Sequence, residues 1–379
     1  VISPSTPVII SARRTPIGTA GLALRDVDVA GLAAPVLRAT AGDAGLSQPE
    51  HVVLGNCMGP GGNVARVASL GAGFEITTPA MTVDLQCGSG LAAITTACAL
   101  VRSGTAESVI AGGVESASTA PWRFWPATDG RDAERYTRAP FSPAEIGDPE
   151  MGPAADDVAR RWGITRARQD AYAVRSHARA AAARDDGRFD DELVVLPQLA
   201  RDERIRANLR AETLARLPAA FSTDGTVTAG NACGINDGSA AVAIVSEARR
   251  RADGIPGLAC RDWETVGSDP NLPGVGPVPA VRNLLSRNGV TLNDIDVIEV
   301  NEAFAAQVLA CCDELGLDEE RVCVEGGAIA LGHPWGASGA VLGVRLFSQM
   351  MRPDGPRLGL ATIAVGGGQG VALLVERVD

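Results

Sequence analysis

The stretch Asp84-Leu-Gln-Cys87-Gly-Ser-Gly-Leu-Ala-Ala-Ile94 has residue types and spacing suited to nucleophilic chemistry. The apolar run Ala80 to Leu85 reads as a strand, and a helix is expected to start within the glycines and run through Thr95, Cys98 and Leu100. A cysteine at such a junction meets unpaired helix N–H groups and the positive end of the dipole, which favour thiolate over thiol. Most buried cysteines are inert core residues. Here Gly88 and Gly90 would let a backbone approach a substrate closely, and the helix is uncharged from Gly88 to Val101, so it should be buried and hold its first turn rigidly. Cys87 is therefore the candidate nucleophile.

A nucleophilic thiol needs a base, and the chain has only three histidines. His333 sits between Gly332 and Pro334 in the glycine-rich run Gly326 to Gly339, a poor place for packing and a good one for a base aimed at a substrate. His51 opens a strand and reads as a surface residue, while His177 lies on the flank of a helical stripe and reads as a packing or hydrogen-bonding residue. The run Gly366 to Gly370 offers backbone N–H groups without side chains, suited to an oxyanion or a phosphate, but lacks the spacing of a dinucleotide fingerprint. Asn301-Glu-Ala-Phe304 is a further distinctive loop.

Positioning these residues requires a scaffold. Val8 to Ser11, His51 to Gly55 and Glu107 to Gly113 read as strands, with Val29 to Ala44 as a helix. From Pro121 to about Thr228 the text becomes arginine-rich and charged, including a helix over Thr165 to Arg184 with Ala171, Val174, Ala178 and Ala181 as its apolar stripe. The second half repeats the first: Ala41 to Asn56 is matched by Arg287 to Asn301, and Ser108-Val-Ile-Ala-Gly-Gly113 is echoed by Thr362-Ile-Ala-Val-Gly-Gly367. Two matched βα halves imply a duplicated, layered α/β fold with a pseudo-twofold axis, whose equivalent loops converge on one site. The expected organisation is an N-terminal half from residues 1–118 and 236–258, a loop or lid domain over 119–235, and a C-terminal half over 259–379.

Composition narrows the chemistry. The chain has 379 residues, a net charge of −11, 46% hydrophobic residues and 44 glycines, which fits a tightly packed α/β enzyme and argues against nucleic acid or an acidic membrane as partner. All 34 basic residues are arginine, so Schiff-base, pyridoxal phosphate and P-loop chemistries, which need lysine, are excluded. The eight cysteines follow neither disulfide nor zinc spacing, and no secretion signal or membrane-length apolar run is seen, so a cytoplasmic protein with free thiols is expected.

Val83-Asp-Leu-Gln-Cys-Gly-Ser-Gly-Leu91, Gly112-Gly-Val-Glu-Ser116, Thr226-Val-Thr-Ala-Gly-Asn231, Asn301-Glu-Ala-Phe-Ala305 and Gly327-Ala-Ile-Ala-Leu-Gly-His-Pro334 together resemble the thiolases, acyl-CoA acetyltransferases that make or cleave β-ketoacyl-CoA. The resemblance runs from Ile9 to the last strand. It implies the five-layered α/β/α/β/α fold, an acyl-cysteine intermediate, and a homodimer or homotetramer. It further implies that Cys87 attacks the thioester and that His333 activates it. Asn301 would hold a water that forms one oxyanion hole with His333, and the N–H groups of Cys87 and Gly366 would form the other. Met151, Phe221, Ala229 and Phe304 fall where that family lines the pantetheine and acyl channel. No cofactor or metal is needed, because the acyl-CoA thioester is itself activated and the cysteine divides one hard transfer into two easier ones.

One departure is chemical. The family's last motif places a second catalytic cysteine where this chain has Ala364. That cysteine removes the α-proton of the second acyl-CoA in condensation and protonates the leaving enolate in thiolysis. Losing a positioned general base usually costs about 10² to 10⁴ in rate. Glu150 replaces a frequent histidine, Cys233 a serine and Pro273 a methionine, and Trp335 is unusually bulky, so an altered acyl pocket is expected around the same site. Ala364 fits either an acyl-cysteine passed to an acceptor other than carbon, or a point substitution that traps an intermediate in an otherwise ordinary thiolase. It is also the main support for a non-catalytic, CoA-binding subunit. A carrier-protein ketosynthase would need a second histidine in the site, and Asn301 occupies that slot.

Overall fold

The computed structural model describes residues 2–379. Its first half runs β1 (Pro7–Arg14), β2 (Gly18–Thr19), α1 (Val29–Asp43), β3 (His51–Gly55), α2 (Val64–Gly71), β4 (Ala80–Val83), α3 (Ser89–Arg102) and β5 (Ser108–Ser116). An insert follows, with a hairpin of β6 (Arg123–Trp125) and β7 (Glu134–Tyr136), then α4 (Met151–Arg161), α5 (Arg166–Asp185) and α6 (Ala211–Leu214). The scaffold resumes with β8 (Asn236–Ser246), α7 (Glu247–Asp253), β9 (Gly257–Gly267), α8 (Pro277–Asn288) and β10 (Val297–Val300). It closes with α9 (Ala305–Leu315), α10 (Ala328–Leu331), α11 (Trp335–Met350), β11 (Leu358–Val365) and β12 (Gln369–Val378).

The strands lie in the order β10-β11-β12-β9-β1-β8-β5-β3-β4, with β2 on β8. Read outward from the β1–β9 junction, the two halves match: β1-β8-β5-β3 on one side, β9-β12-β11-β10 on the other. The innermost pairs are antiparallel, whereas β3 with β5 and β10 with β11 are parallel. The counterpart of β4 is reduced to one parallel bridge between Ile298 and Val322. Strands β5 and β8 are buried along almost their full length and read as continuous small or apolar runs, as strands covered on both faces do.

Alternation along the strands produces the layers. Val8, Ile10, Ile110 and Val245 face α1 and α2, while Ile9, Val109, Val242 and Ile244 face inward against α3 and α11. In the other half Ile363, Val371 and Leu373 join that central core, and Leu360, Ala372 and Leu374 face α8 and α9. The expected α/β/α/β/α layering and duplication are borne out, with α3 and α11 forming the middle layer.

Several expectations require correction. Across β3–β5 Gly55 pairs with Gly113, and across β10–β11 Val300 pairs with Thr362. With Asn56 and Asn301 equivalent, Thr362 corresponds to Gly113 and not to Ser108; the shared Gly-Gly pairs drew the echo five residues out of register. The buried face of α5 is Gln169, Asp170, Tyr172, Ala173, Ser176, His177, Ala180, Ala181 and Ala183; of the expected stripe Ala181 is buried and Val174 half-buried, whereas Ala171 and Ala178 are exposed. Apolarity misidentifies this face because its polar groups are internally satisfied: Tyr172 Oη and Ser176 Oγ donate to the Glu302 carboxylate at 2.8 and 2.7 Å. His177 lies within that face, and its Nδ1 accepts from Arg206 N at 3.2 Å.

Gly88 and Gly90 also serve a different purpose from substrate approach. A Cβ on Gly90 would stand 2.7 Å from Ala340 N, and one on Gly88 2.7 Å from Val365 Cγ2. Gly339 on α11 meets Leu91 N as closely, at 2.3 Å from its notional Cβ. Gly90 and Gly339 let the two central helices cross with their backbones nearly touching, while Gly88 makes room for the side chains of Val365 on β11 and Val371 on β12.

Candidate active site

Strand β4 ends at Val83 and the chain turns through Asp84–Gly88 into α3. Gln86 takes φ +46°, held by its own N–H donating to Asp84 Oδ1 at 2.8 Å. Ser89 Oγ donates to Gln86 O at 2.6 Å and accepts from Leu85 N at 2.8 Å, so the first residue of α3 clamps the turn. Cys57 braces it from below, its Sγ donating to Gln86 O at 3.0 Å. Cys87 is thereby presented two residues before α3. His333 stands two residues before α11, which places the nucleophile and base candidates at matching points of the two halves.

Cys87 and His333 line a single chamber of about 100 Å³, together with Met151, Cys233, Phe304, Ala364 and Gly366. Pro273 and Trp335 are also in its wall. A wider groove of about 860 Å³ beside Arg13, Asp43 and Arg352 contains none of the candidate residues. Burial pushes the Cys87 thiol up to about 12, with Glu115 and Asp84 adding to the effect. The backbone N–H groups of Cys87 itself and of Gly366 are directed at the sulfur and oppose it. The thiolate expected from the helix terminus is thus overturned: desolvation outweighs the dipole in the resting chain, and a proton acceptor is needed.

His333 is such an acceptor. It is 2% exposed, and burial lowers its pKa to about 4, so the imidazole is neutral. Nδ1 lies 2.6 Å from Ser338 Oγ, and with the proton on Nδ1 donating to that oxygen, Nε2 keeps a free lone pair; Nε2 has no partner. The ring is fixed from the backbone as well, since His333 N donates to Asn236 Oδ1 at 2.9 Å.

Asn301 does not line the chamber. It borders a neighbouring cavity of about 10 Å³ shared with Ser338 and Arg345, near the size that holds one water, and its Nδ2 is buried without a partner. The duplication explains the free amide. Its counterpart Asn56 donates through Nδ2 to Glu115 Oε1 at 3.0 Å, and the position equivalent to Glu115 in the second half is Ala364. Glu302 next to Asn301 holds this loop, accepting from Tyr172, Ser176 and Ile329 N.

Phe221 and Ala229 are exposed and off the chamber wall. Phe221 covers Gly152 and meets Phe304 edge-on at 6.2 Å between centroids. Glu150, expected among the departures at the site, points outward and pairs with Arg138 at 3.1 Å. Sequence reasoning missed Ser338, five residues beyond His333 in the same loop, and Gln307, whose buried Oε1 lacks a partner in the chamber wall. Among the described residues all eight cysteines are free, no cluster of three or more potential metal ligands occurs, and no helix is long and apolar enough to cross a membrane.

Residues 7–248 match the family model for the thiolase N-terminal domain, and residues 256–377 that for the thiolase C-terminal domain. The chain is 43% identical to the acetyl-CoA acetyltransferase of Pseudomonas aeruginosa, over 98% of this chain and 99% of that protein. It is 42% identical to the acetyl-CoA acetyltransferase of Escherichia coli with the same coverage. Human mitochondrial 3-ketoacyl-CoA thiolase, solved in complex with CoA, superposes with a TM-score of 0.92 at 34% identity over 100% of both chains.

Proposed function

Since the chain belongs to the thiolase family, we propose that it is an acyltransferase that forms an acyl-Cys87 intermediate from acyl-CoA, for thiolysis or Claisen condensation of β-ketoacyl-CoA. The observation that carries this reading is the pairing of Cys87 with a neutral, partner-free His333 Nε2 around one chamber, beneath two N–H groups directed at the sulfur. In the first half-reaction the Cys87 proton passes to His333 Nε2 as the sulfur attacks the thioester carbonyl. The carbon–sulfur bond to CoA then breaks, and the departing thiolate recovers that proton. The N–H groups of Cys87 and Gly366 bind the oxyanion that forms in between. Asn301 is the donor for a water at the second oxyanion position. Met151, Cys233 and Phe304 shape the acyl pocket, and Phe221 and Ala229 act at its outer edge.

No cofactor or metal takes part in this scheme. A homodimeric or homotetrameric, cytoplasmic enzyme without nucleic acid or membrane partners belongs to the same reading. Ala364 favours a second reading, in which the acyl group leaves Cys87 for an acceptor other than carbon; product analysis with water, amines and alcohols as acceptors separates the two. Retention of Cys87 and His333 in one chamber argues against a purely CoA-binding subunit. Intact-protein mass after mixing with acetyl-CoA and a panel of longer acyl-CoAs tests the proposal. One acyl group per chain is expected on the Cys87 peptide, and none in Cys87→Ala; an unmodified parent chain would sink it.

A further inference from the structure

We propose that Cys233 is the proton-transferring residue of the carbon–carbon bond step, standing in for a group at position 364. The inference rests on the acyltransferase reading above. Among the residues that wall the chamber, only Cys87, Cys233 and His333 can exchange a proton; Ala364 contributes a methyl group. Cys87 carries the acyl group and His333 serves that sulfur, so the α-carbon of the second thioester is left with Cys233.

The surroundings of Cys233 suit the task. Its backbone N–H donates to Ala303 O at 2.9 Å, and the adjacent Ala232 bridges Phe304, so the sulfur is held by the same loop that carries Asn301. Arg204 packs on Gly234, so closely that a Cβ there would lie 2.4 Å from Nη1. Among the described residues Arg204 has no ion pair and no hydrogen bond, and its Nε is buried without an acceptor. Burial and the neighbouring Cys87 push the Cys233 thiol up to about 12, and the Arg204 charge acts against them. An uncompensated guanidinium beside a cysteine favours the thiolate when a proton must leave. The chamber also holds two buried polar atoms without partners, Gln307 Oε1 and His333 Nε2, as a site for a polar substrate group requires.

In condensation Cys233 gives its thiol proton to His333 Nε2, which returns it to Cys87 when that sulfur leaves, and the Cys233 thiolate takes a proton from the α-carbon of the second acyl-CoA. The resulting enolate attacks the acyl carbon, a carbon–carbon bond forms, and the carbon–sulfur bond to Cys87 breaks. In thiolysis the steps reverse: Cys87 passes its proton to His333 Nε2 as the sulfur adds to the β-carbonyl, the carbon–carbon bond breaks, and the leaving enolate takes the proton from Cys233. The Cys233 thiolate then deprotonates the CoA thiol that releases the acyl group.

The test compares the parent chain, Cys233→Ser, Cys233→Ala and Cys233→Ser/Ala364→Cys, reading Cys87 acylation by mass and acetoacetyl-CoA thiolysis by loss of substrate. An acyl group on Cys87 should remain detectable in all four, because Cys87 and His333 are intact in each, although its rate can change where Cys233 borders the acyl group. Thiolysis should fall about 10² to 10⁴-fold in both single variants and return in the double variant, a rescue that a merely structural role for Cys233 would not show. Single variants that cleave substrate at the parent rate, or a parent that acylates without cleaving, overturn the role of Cys233. A parent that does not acylate overturns the acyltransferase reading itself.

Discussion

At the scale of single residues, burial sets the chemistry. Cys87 and His333 are both pushed toward their neutral forms, one up to about 12 and the other down to about 4. Thiol and imidazole are thus both neutral, and neither candidate holds a charge in the chamber before substrate arrives. The quality of the base then depends on how firmly Nε2 is aimed, and Ser338 Oγ on Nδ1 is the contact that sets the ring and its tautomer. Ser338→Ala should slow the first CoA release about tenfold, the equivalent of about 1.4 kcal/mol from one lost hydrogen bond. A stopped-flow burst measured on parent and variant decides this, and an unchanged burst rate would remove Ser338 from the account. His333 was legible in the sequence because glycine and proline flank it. Ser338 was less so, since a serine in a helix's first turn has many ordinary uses.

At the scale of elements, the middle layer is the sensitive part. Helices α3 and α11 each carry a candidate catalytic residue two positions before their start, so their mutual placement sets the distance between nucleophile and base. That placement depends on Gly90 and Gly339, where backbone meets backbone. Gly90→Ala should destabilise the fold by about 1 to 3 kcal/mol through overpacking and weaken acylation at the same time. A urea titration with an unshifted midpoint, or a shifted midpoint with unaltered acylation, would contradict this coupling. Glycine in the nucleophile motif reads equally well as room for substrate or room for a neighbouring helix. Helix α5 teaches a related point: its buried face is polar because Glu302 lies under it, and a partner 126 residues away is invisible to local periodicity.

At the scale of the whole molecule, duplication is the organising fact. Asn56 and Asn301 follow equivalent strands, yet Asn56 is spent on Glu115 while Asn301, with Ala364 at the position equivalent to Glu115, keeps its amide free. One half thus uses the position for structure, and the other leaves its amide unpaired. Glu115 also accepts from Gly336 N at 2.9 Å, tying the first half to the start of α11. Stability of the assembled fold should carry a signature of its buried histidines. His177, whose pKa burial lowers from 6.5 to about 4, refuses a proton that the unfolded chain takes up below about pH 6.5. Its contribution is complete above that pH and declines as the pH falls toward 4. The stability advantage of the parent over His177→Gln should therefore shrink by about 2 kcal/mol between about pH 7 and about pH 5. Urea midpoints of both proteins at the two pH values measure it, and a constant gap would show that His177 titrates normally.

The sequence by itself determined the duplicated layered architecture and singled out Cys87, His333 and Ala364 as candidates, because these are written in strand and helix periodicity and in short motifs whose residues are neighbours in the chain. Only the tertiary structure decided that Cys87 rests as a thiol, that Gly90 serves helix crossing and Gly88 packing against β11, that Asn301 borders a separate small cavity, and that Cys233 shares the chamber with Arg204 behind it. Each of these depends on desolvation or on contact between residues far apart in the chain, and neither quantity exists until the two halves close on each other.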